Sequence, residues 1–149
     1  MARSALAVAA LVVATLALSG CDVLEPTRDA EGHIVKPTSM ASTDAWVGDC
    51  FSFVENSNLA YVSVVPCADA HSHVVVSRGK LSATKVELAG GVENAVRTVC
   101  DSAFTLYEAS LGEDADPEQS SIVSTKNKAG GVVTYYSCIA TDAVVLASN

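Results

Sequence analysis

The sequence is short of positive charge. Its 149 residues carry 9 Lys and Arg against 17 Asp and Glu, a formal charge of −8. Nucleic-acid binding needs a basic patch to neutralise phosphates, so this balance argues against that partner class. It also argues against the chain lying flat on anionic lipid. No apolar run reaches the roughly 20 residues of a membrane-spanning helix. Histidine is scarce, with only His33, His71 and His73. No Gly-x-Ser-x-Gly elbow is present, and Gly90-Gly91 and Gly130-Gly131 lack the partners of a phosphate-cradling loop. Asp114 and Asp116 sit in an acidic stretch without EF-hand spacing, which reads as a solvated turn. A nucleophile needs an adjacent base and an orienting group, and no such constellation stands out. The expectation is a protein that is not an enzyme and has no cofactor.

What is present begins at the N-terminus. Arg3 precedes residues 4–18, which are apolar or small without a charge, and Leu18-Ser19-Gly20-Cys21 follows. A basic start, a short apolar stretch and small residues before a cut make a secretory signal. The four residues ending in Cys21 resemble the lipobox of bacterial lipoproteins. In those proteins the cysteine thiol takes a diacylglyceryl group and the preceding signal is removed. The resemblance implies residues 1–20 as signal peptide, Cys21 as the lipidation site, and attachment to the extracytoplasmic face of the cell membrane. One acyl chain holds weakly and two hold stably, so a diacylglyceryl group suffices as an anchor. Removing Arg3 with the signal takes the formal charge to −9. Residues 22–43 contain Pro26, Gly32 and Pro37, with charges and hydroxyls and no periodic pattern. With Cys21, the region to residue 44 reads as a lipidated flexible linker, holding the next domain about 25 Å from the bilayer.

A single folded domain is expected from residue 45 to the C-terminus. Residues 47–53 read as a short strand or turn. Residues 59–65 alternate as a strand, with Ala60, Val62 and Val64 on one side, after the turn signal Asn56-Ser57-Asn58. Residues 71–77 form a valine-rich second strand. Residues 93–109 give the clearest pattern: Val92, Ala95, Val96, Val99, Cys100, Ala103, Phe104 and Tyr107 make one continuous apolar helix face. Gly90-Gly91 and Gly112 mark its ends, and Glu93 suits the positive end of the helix dipole. Residues 121–125 and 132–139 read as strands of a hairpin, and residues 143–146 as a last short strand. Strands on both sides of one helix predict an α+β fold, a small antiparallel sheet packed on one main helix.

Five cysteines are present. With Cys21 taken by lipid, an even number remains in an exported small domain, which reads as disulfides. Four cysteines allow three pairings, of which Cys50–Cys67 and Cys100–Cys138 are favoured. Cys50 and Cys67 flank the first strand, and a bridge between Cys100 on the buried helix face and Cys138 would staple helix to sheet.

Two short motifs carry a resemblance. Val47-Gly48-Asp49-Cys50-Phe51 and Val65-Pro66-Cys67-Ala68-Asp69-Ala70-His71 are similar to the Gly-Asp-Cys-Phe and Val-Pro-Cys-x3-His motifs of the actinobacterial septum-formation-related domain. A helix cysteine, here Cys100, and a strand cysteine, here Cys138, follow in the same order. The resemblance covers residues 46–140. That family has a proline before the histidine and a glutamate three residues after it; here those positions hold Ala70 and Val74. The resemblance implies an exported or membrane-attached domain linked to cell division, and no reaction.

A metal-binding lipoprotein is the alternative. Cys67, Asp69, His71 and His73 alternate, and in an extended strand all four would share one face. Their chemistry suits zinc or copper, yet same-face neighbours stand about 7 Å apart and a bridged Cys67 offers no thiolate. His71 and His73 are therefore carried as low-ranked binding residues, with no metal assigned. Trp46, Phe51, Phe53 and Phe104 read as core. Tyr135 and Tyr136 point to opposite faces of one strand, which leaves one of them for solvent. The function expected is a membrane-anchored binding module with a protein or cell-wall partner in the envelope.

Overall fold

A computed structural model describes residues 26–112, 115–129 and 131–141. The signal, Cys21, Asp114 and the expected strand at 143–146 lie outside the described residues. Eight elements follow in order: β1 (Thr38–Ala41), β2 (Cys50–Phe53), β3 (Tyr61–Val65), β4 (His73–Ser82), α1 (Ala83–Leu88), α2 (Val92–Leu111), β5 (Gln119–Lys128) and β6 (Gly131–Thr141). The strands form one antiparallel sheet in the order β1-β3-β2-β4-β6-β5. The class is α+β as expected, with more sheet than the sequence reading held.

The two faces of the sheet bury different things. On one face Phe51, Val62, Val64, Val75 and Ile139 pack with Ile34 and Ala45. On the other, Leu81, Cys138, Val74 and Ala140 lie beneath α2. Alternation along β3 places Val62 and Val64 inward and leaves Tyr61 exposed, because successive side chains of a strand point to opposite faces. The expected apolar stripe of α2 is the face that packs: Ala95, Val96 and Cys100 are buried, with Phe104 and Tyr107 half-buried toward Cys50.

Both expected disulfides are formed. Cys50–Cys67 closes 17 residues, and Cys100–Cys138 closes 38 and ties α2 to β6. Loop closure alone assigns them about 3 and 4 kcal/mol, large beside the roughly 5–15 kcal/mol stability of a domain.

The sequence reading differs from the structure in five places. The linker is largely absorbed into the domain. Residues 38–41 pair with β3, Ile34 is buried in the first core, and Arg28 reaches the Gly48-Asp49 turn. A single added edge strand has no periodicity long enough to read, and the buried residues of this segment are isolated ones. The second strand starts at His73 and runs to Ser82, past the valine run, because β6 supplies a hydrogen-bonding partner along its whole length. A β-bulge between Val75 and Ser77 lets both halves keep their apolar residues inward. Leu59 belongs to the turn and takes φ +63°, following Asn56 at +61° and Asn58 at +48°. Helix α1 also escaped the reading, being six residues with no buried side chain and an N-cap at Ser82. Trp46, expected in the core, is 52% exposed, with the Arg28 guanidinium stacked 4.1 Å from its ring centroid.

Candidate binding face

The residues of the two motifs come together around the Cys50–Cys67 bridge, and their contacts are structural. Gly48 takes φ +88° and its N–H donates to the Val75 carbonyl (2.8 Å), so the turn needs a residue that tolerates the left-handed region. Asp49 is buried. Its carboxylate accepts from Arg28 Nη1 (2.7 Å) and Nη2 (2.8 Å) and from the Trp46 N–H (2.7 Å). The pair raises the Arg28 pKa above its ordinary value, chiefly through the hydrogen bond to Asp49 and against the opposing effect of burial. Phe51 has no exposed surface.

The second motif is a turn. The Asp69 N–H donates to the Pro66 carbonyl (2.8 Å), and His71 Nδ1 sits 2.7 Å from the Asp69 carbonyl. A carbonyl only accepts, so that nitrogen carries the proton. His71 is buried. His73 stacks on Phe51 (5.4 Å between centroids) and meets Phe53 edge-on (5.0 Å), with Ser72 Oγ 2.7 Å from its Nδ1. Burial first, and then the charge of His71, pushes the His73 pKa below its ordinary value. Cys67, Asp69, His71 and His73 do not share one strand face, since residues 66–72 turn. Cys67 is bridged, and among the described residues no three His, Cys, Asp or Glu side chains are placed to hold a metal ion.

The more distinctive surface lies at the other end of the sheet. Strands β4, β5 and β6 hold Arg78, Lys80, Lys126 and Lys128 and not one acidic residue. Arg78 is spent on structure: its guanidinium donates to the carbonyls of Thr43 (3.2 Å), Asp44 (3.2 Å) and Ala45 (2.8 Å). The three lysines converge on Tyr135. In the register Tyr135 faces Lys80 on β4 and Ser124 on β5, while Val133 faces Lys126 and Gly131 faces Lys128. Alternation puts Ser124, Lys126 and Lys128 on one face, so all three ammonium groups gather on the side of Tyr135. Their Nζ atoms stand 6.0 Å (Lys80), 5.5 Å (Lys126) and 5.5 Å (Lys128) from the Tyr135 ring centroid, within cation–π range. A hydrogen bond to Lys128, followed by the positive charges of Lys128, Lys80 and Lys126, draws the phenol pKa below its ordinary value. None of the three lysines is ion-paired to a described carboxylate.

This arrangement is electrostatically suited to an anion. Three ammonium groups around one ring repel each other, and an oxyanion among them relieves that repulsion while the phenol donates a hydrogen bond. The sequence shows that Tyr135 and Tyr136 take opposite faces without saying which meets solvent, and the structure leaves both half-buried; the lysine cluster is not legible, because Lys80 and Lys126 are 46 residues apart and only the β4-β6-β5 pairing unites them. The overall acidity of the chain conceals this local reversal of sign. No protein-family model matches the chain, and no curated protein and no solved structure is significantly similar to it.

Proposed function

We propose that this chain is a lipid-anchored extracytoplasmic lipoprotein whose folded domain is a non-catalytic binding module, with the Tyr135 face as its contact surface. The observation that carries the reading is the accounting of thiols. Four of five cysteines are closed into two bridges, and the fifth, Cys21, stands directly after the apolar run at the end of Leu18-Ser19-Gly20-Cys21. Disulfides of this kind persist in oxidising compartments outside the cytoplasm, which supports export. The structural occupation of Asp49 and His71 supports a scaffold role for the motif residues. The similarity of those motifs to the septum-formation-related domain suggests a role in division of the cell envelope.

Mass spectrometry of the mature chain tests the anchor. A diacylglyceryl mass on Cys21 as the first residue is the expected result, with Cys21→Ser releasing the chain from membranes. An unmodified Cys21, or equal solubility of the two forms, refutes it. Enrichment of a fluorescent fusion at division septa is the expected result for the division role, and a uniform envelope distribution refutes that role.

A further inference from the structure

We infer that the Tyr135 face docks on the anionic headgroups of the bilayer that holds the anchor, so that the domain lies on the membrane with α2 facing away. This rests on the lipoprotein reading and identifies what its contact surface touches.

The first reason is reach. Pro26 is the first described residue and lies five positions after Cys21. Five residues span at most about 18 Å, and Arg28 is already pinned to Asp49. The domain therefore stays within about its own diameter of the lipid, in place of the longer separation that a free linker to residue 44 would allow. A tether this short leaves the domain free mainly to choose which face it turns to the bilayer.

The second reason is the distribution of charge. Lys80, Lys126 and Lys128 lie on the sheet face opposite α2, because Leu81 beside Lys80 and Tyr136 beside Tyr135 pack under that helix, and the register sets Lys126 and Lys128 on the Tyr135 side. Exposed Glu93, Asp101 and Glu108 lie on α2, one layer or about 10 Å further away. Screening acts over about 8 Å at physiological salt. With the lysines at the headgroups, these helix carboxylates are largely screened from the membrane; with the helix turned inward, they are repelled. Each lysine at an anionic surface shifts the balance about five-fold toward the lysine-down orientation, and Asp29, Glu31 and Asp44 on the same side offset part of that gain. Exposed Asp29, Glu31 and Asp44 belong to the N-terminal segment packed on this same side of the sheet, so the positive surface is local to the β4-β6-β5 end, whose strands hold no acidic residue.

The test uses the chain from Cys21 onward with both bridges intact, coupled through the Cys21 thiol to a maleimide lipid. The anchor is thereby supplied chemically, so failure of acylation in the cell and failure of docking are separate results. Vesicles are either pure phosphatidylcholine or contain about one-third phosphatidylglycerol. A water-soluble amine acylating reagent is applied, and the labelling rate is read for each lysine. On anionic vesicles Lys80, Lys126 and Lys128 are expected to label at least about five-fold more slowly than on neutral ones. Lys85 on α1 stays unchanged as the reference, and the difference vanishes at about 1 M salt. Equal rates on the two vesicle types overturn the inference. So does protection that requires soluble poly(glycerol phosphate) and is indifferent to the lipid, which would assign the face to a phosphodiester polymer.

Discussion

Replacing Asp49 by alanine isolates the contact that turns an apparent linker into part of the domain. The carboxylate is 3% exposed and the Arg28 side chain 10%. The substitution removes two charge-assisted hydrogen bonds to the guanidinium and one from the Trp46 N–H. It leaves Arg28 with the Gly32 carbonyl (2.7 Å) and the Trp46 ring, while its Nε already lacks a protein partner. Breaking a buried pair costs about 3–5 kcal/mol. Arg28 lies at the rim and can move toward water, which puts the expected loss near the lower bound, about 3 kcal/mol. For a domain of this size that is a fall in Tm of roughly 12 °C. Asp49→Ala, Arg28→Met and the double variant form a thermodynamic cycle in chemical denaturation, and a coupling above about 2 kcal/mol is expected. Hydrogen exchange adds location. The Val35 amide, bonded to the Thr27 carbonyl (3.0 Å), should lose protection while the amides of α2 keep theirs. A loss under about 1 kcal/mol, or unchanged protection at Val35, would show that burial of Ile34 and pairing of β1 hold this segment without the ion pair.

Three further predictions concern the sheet and its turns. A Cβ on Gly79 would stand 2.6 Å from the Tyr136 hydroxyl and 2.9 Å from its ring, so Gly79→Ala should cost about 1–3 kcal/mol, and Tyr136→Leu in the same chain should recover part of it. Calorimetry on the two variants decides this, and an unchanged Tm for Gly79→Ala counts against the packing described. Leu59 is 57% exposed at φ +63°, so Leu59→Asn should raise stability by about 0.5–1 kcal/mol by relieving left-handed strain, measured by urea unfolding. His73 has its pKa lowered in the fold, mainly by burial. Its contribution to stability is therefore present above the unfolded value of about 6.5 and is lost as pH falls through the lower folded value. Denaturation midpoints followed from neutral to acid pH should show this slope in the native chain and a reduced one in His73→Phe.

The parts of the fold that were legible are those governed by short-range repetition. The stripe from Val92 to Tyr107 has helical spacing, and α2 lies within two residues of the expected bounds 93–109 at either end. Val62 and Val64 alternate with polar neighbours and face the core. Leu59 reads as strand because the alternation extends into the turn, where only backbone conformation distinguishes the two states. The N-terminal segment differs from its expected linker for another reason. Polar, proline-containing sequence has the same composition whether it is a free tether or an edge strand held by distant partners, and the partners here are β3 and Asp49.

By itself the sequence determined that four cysteines and one amphipathic helix would organise a small α+β domain, because bridge chemistry and helical period are written in local residue types and spacings. It also determined the placement of Cys21 after an apolar run, which needs no folding to be read. The tertiary structure alone decided that Arg28 pairs with buried Asp49, that the chain is already held in the domain at Arg28, and that Lys80, Lys126 and Lys128 surround Tyr135. Those are matters of which distant strands pair and in what register. Net charge averages over the whole surface, whereas electrostatic interaction in salt water falls off within about 8 Å.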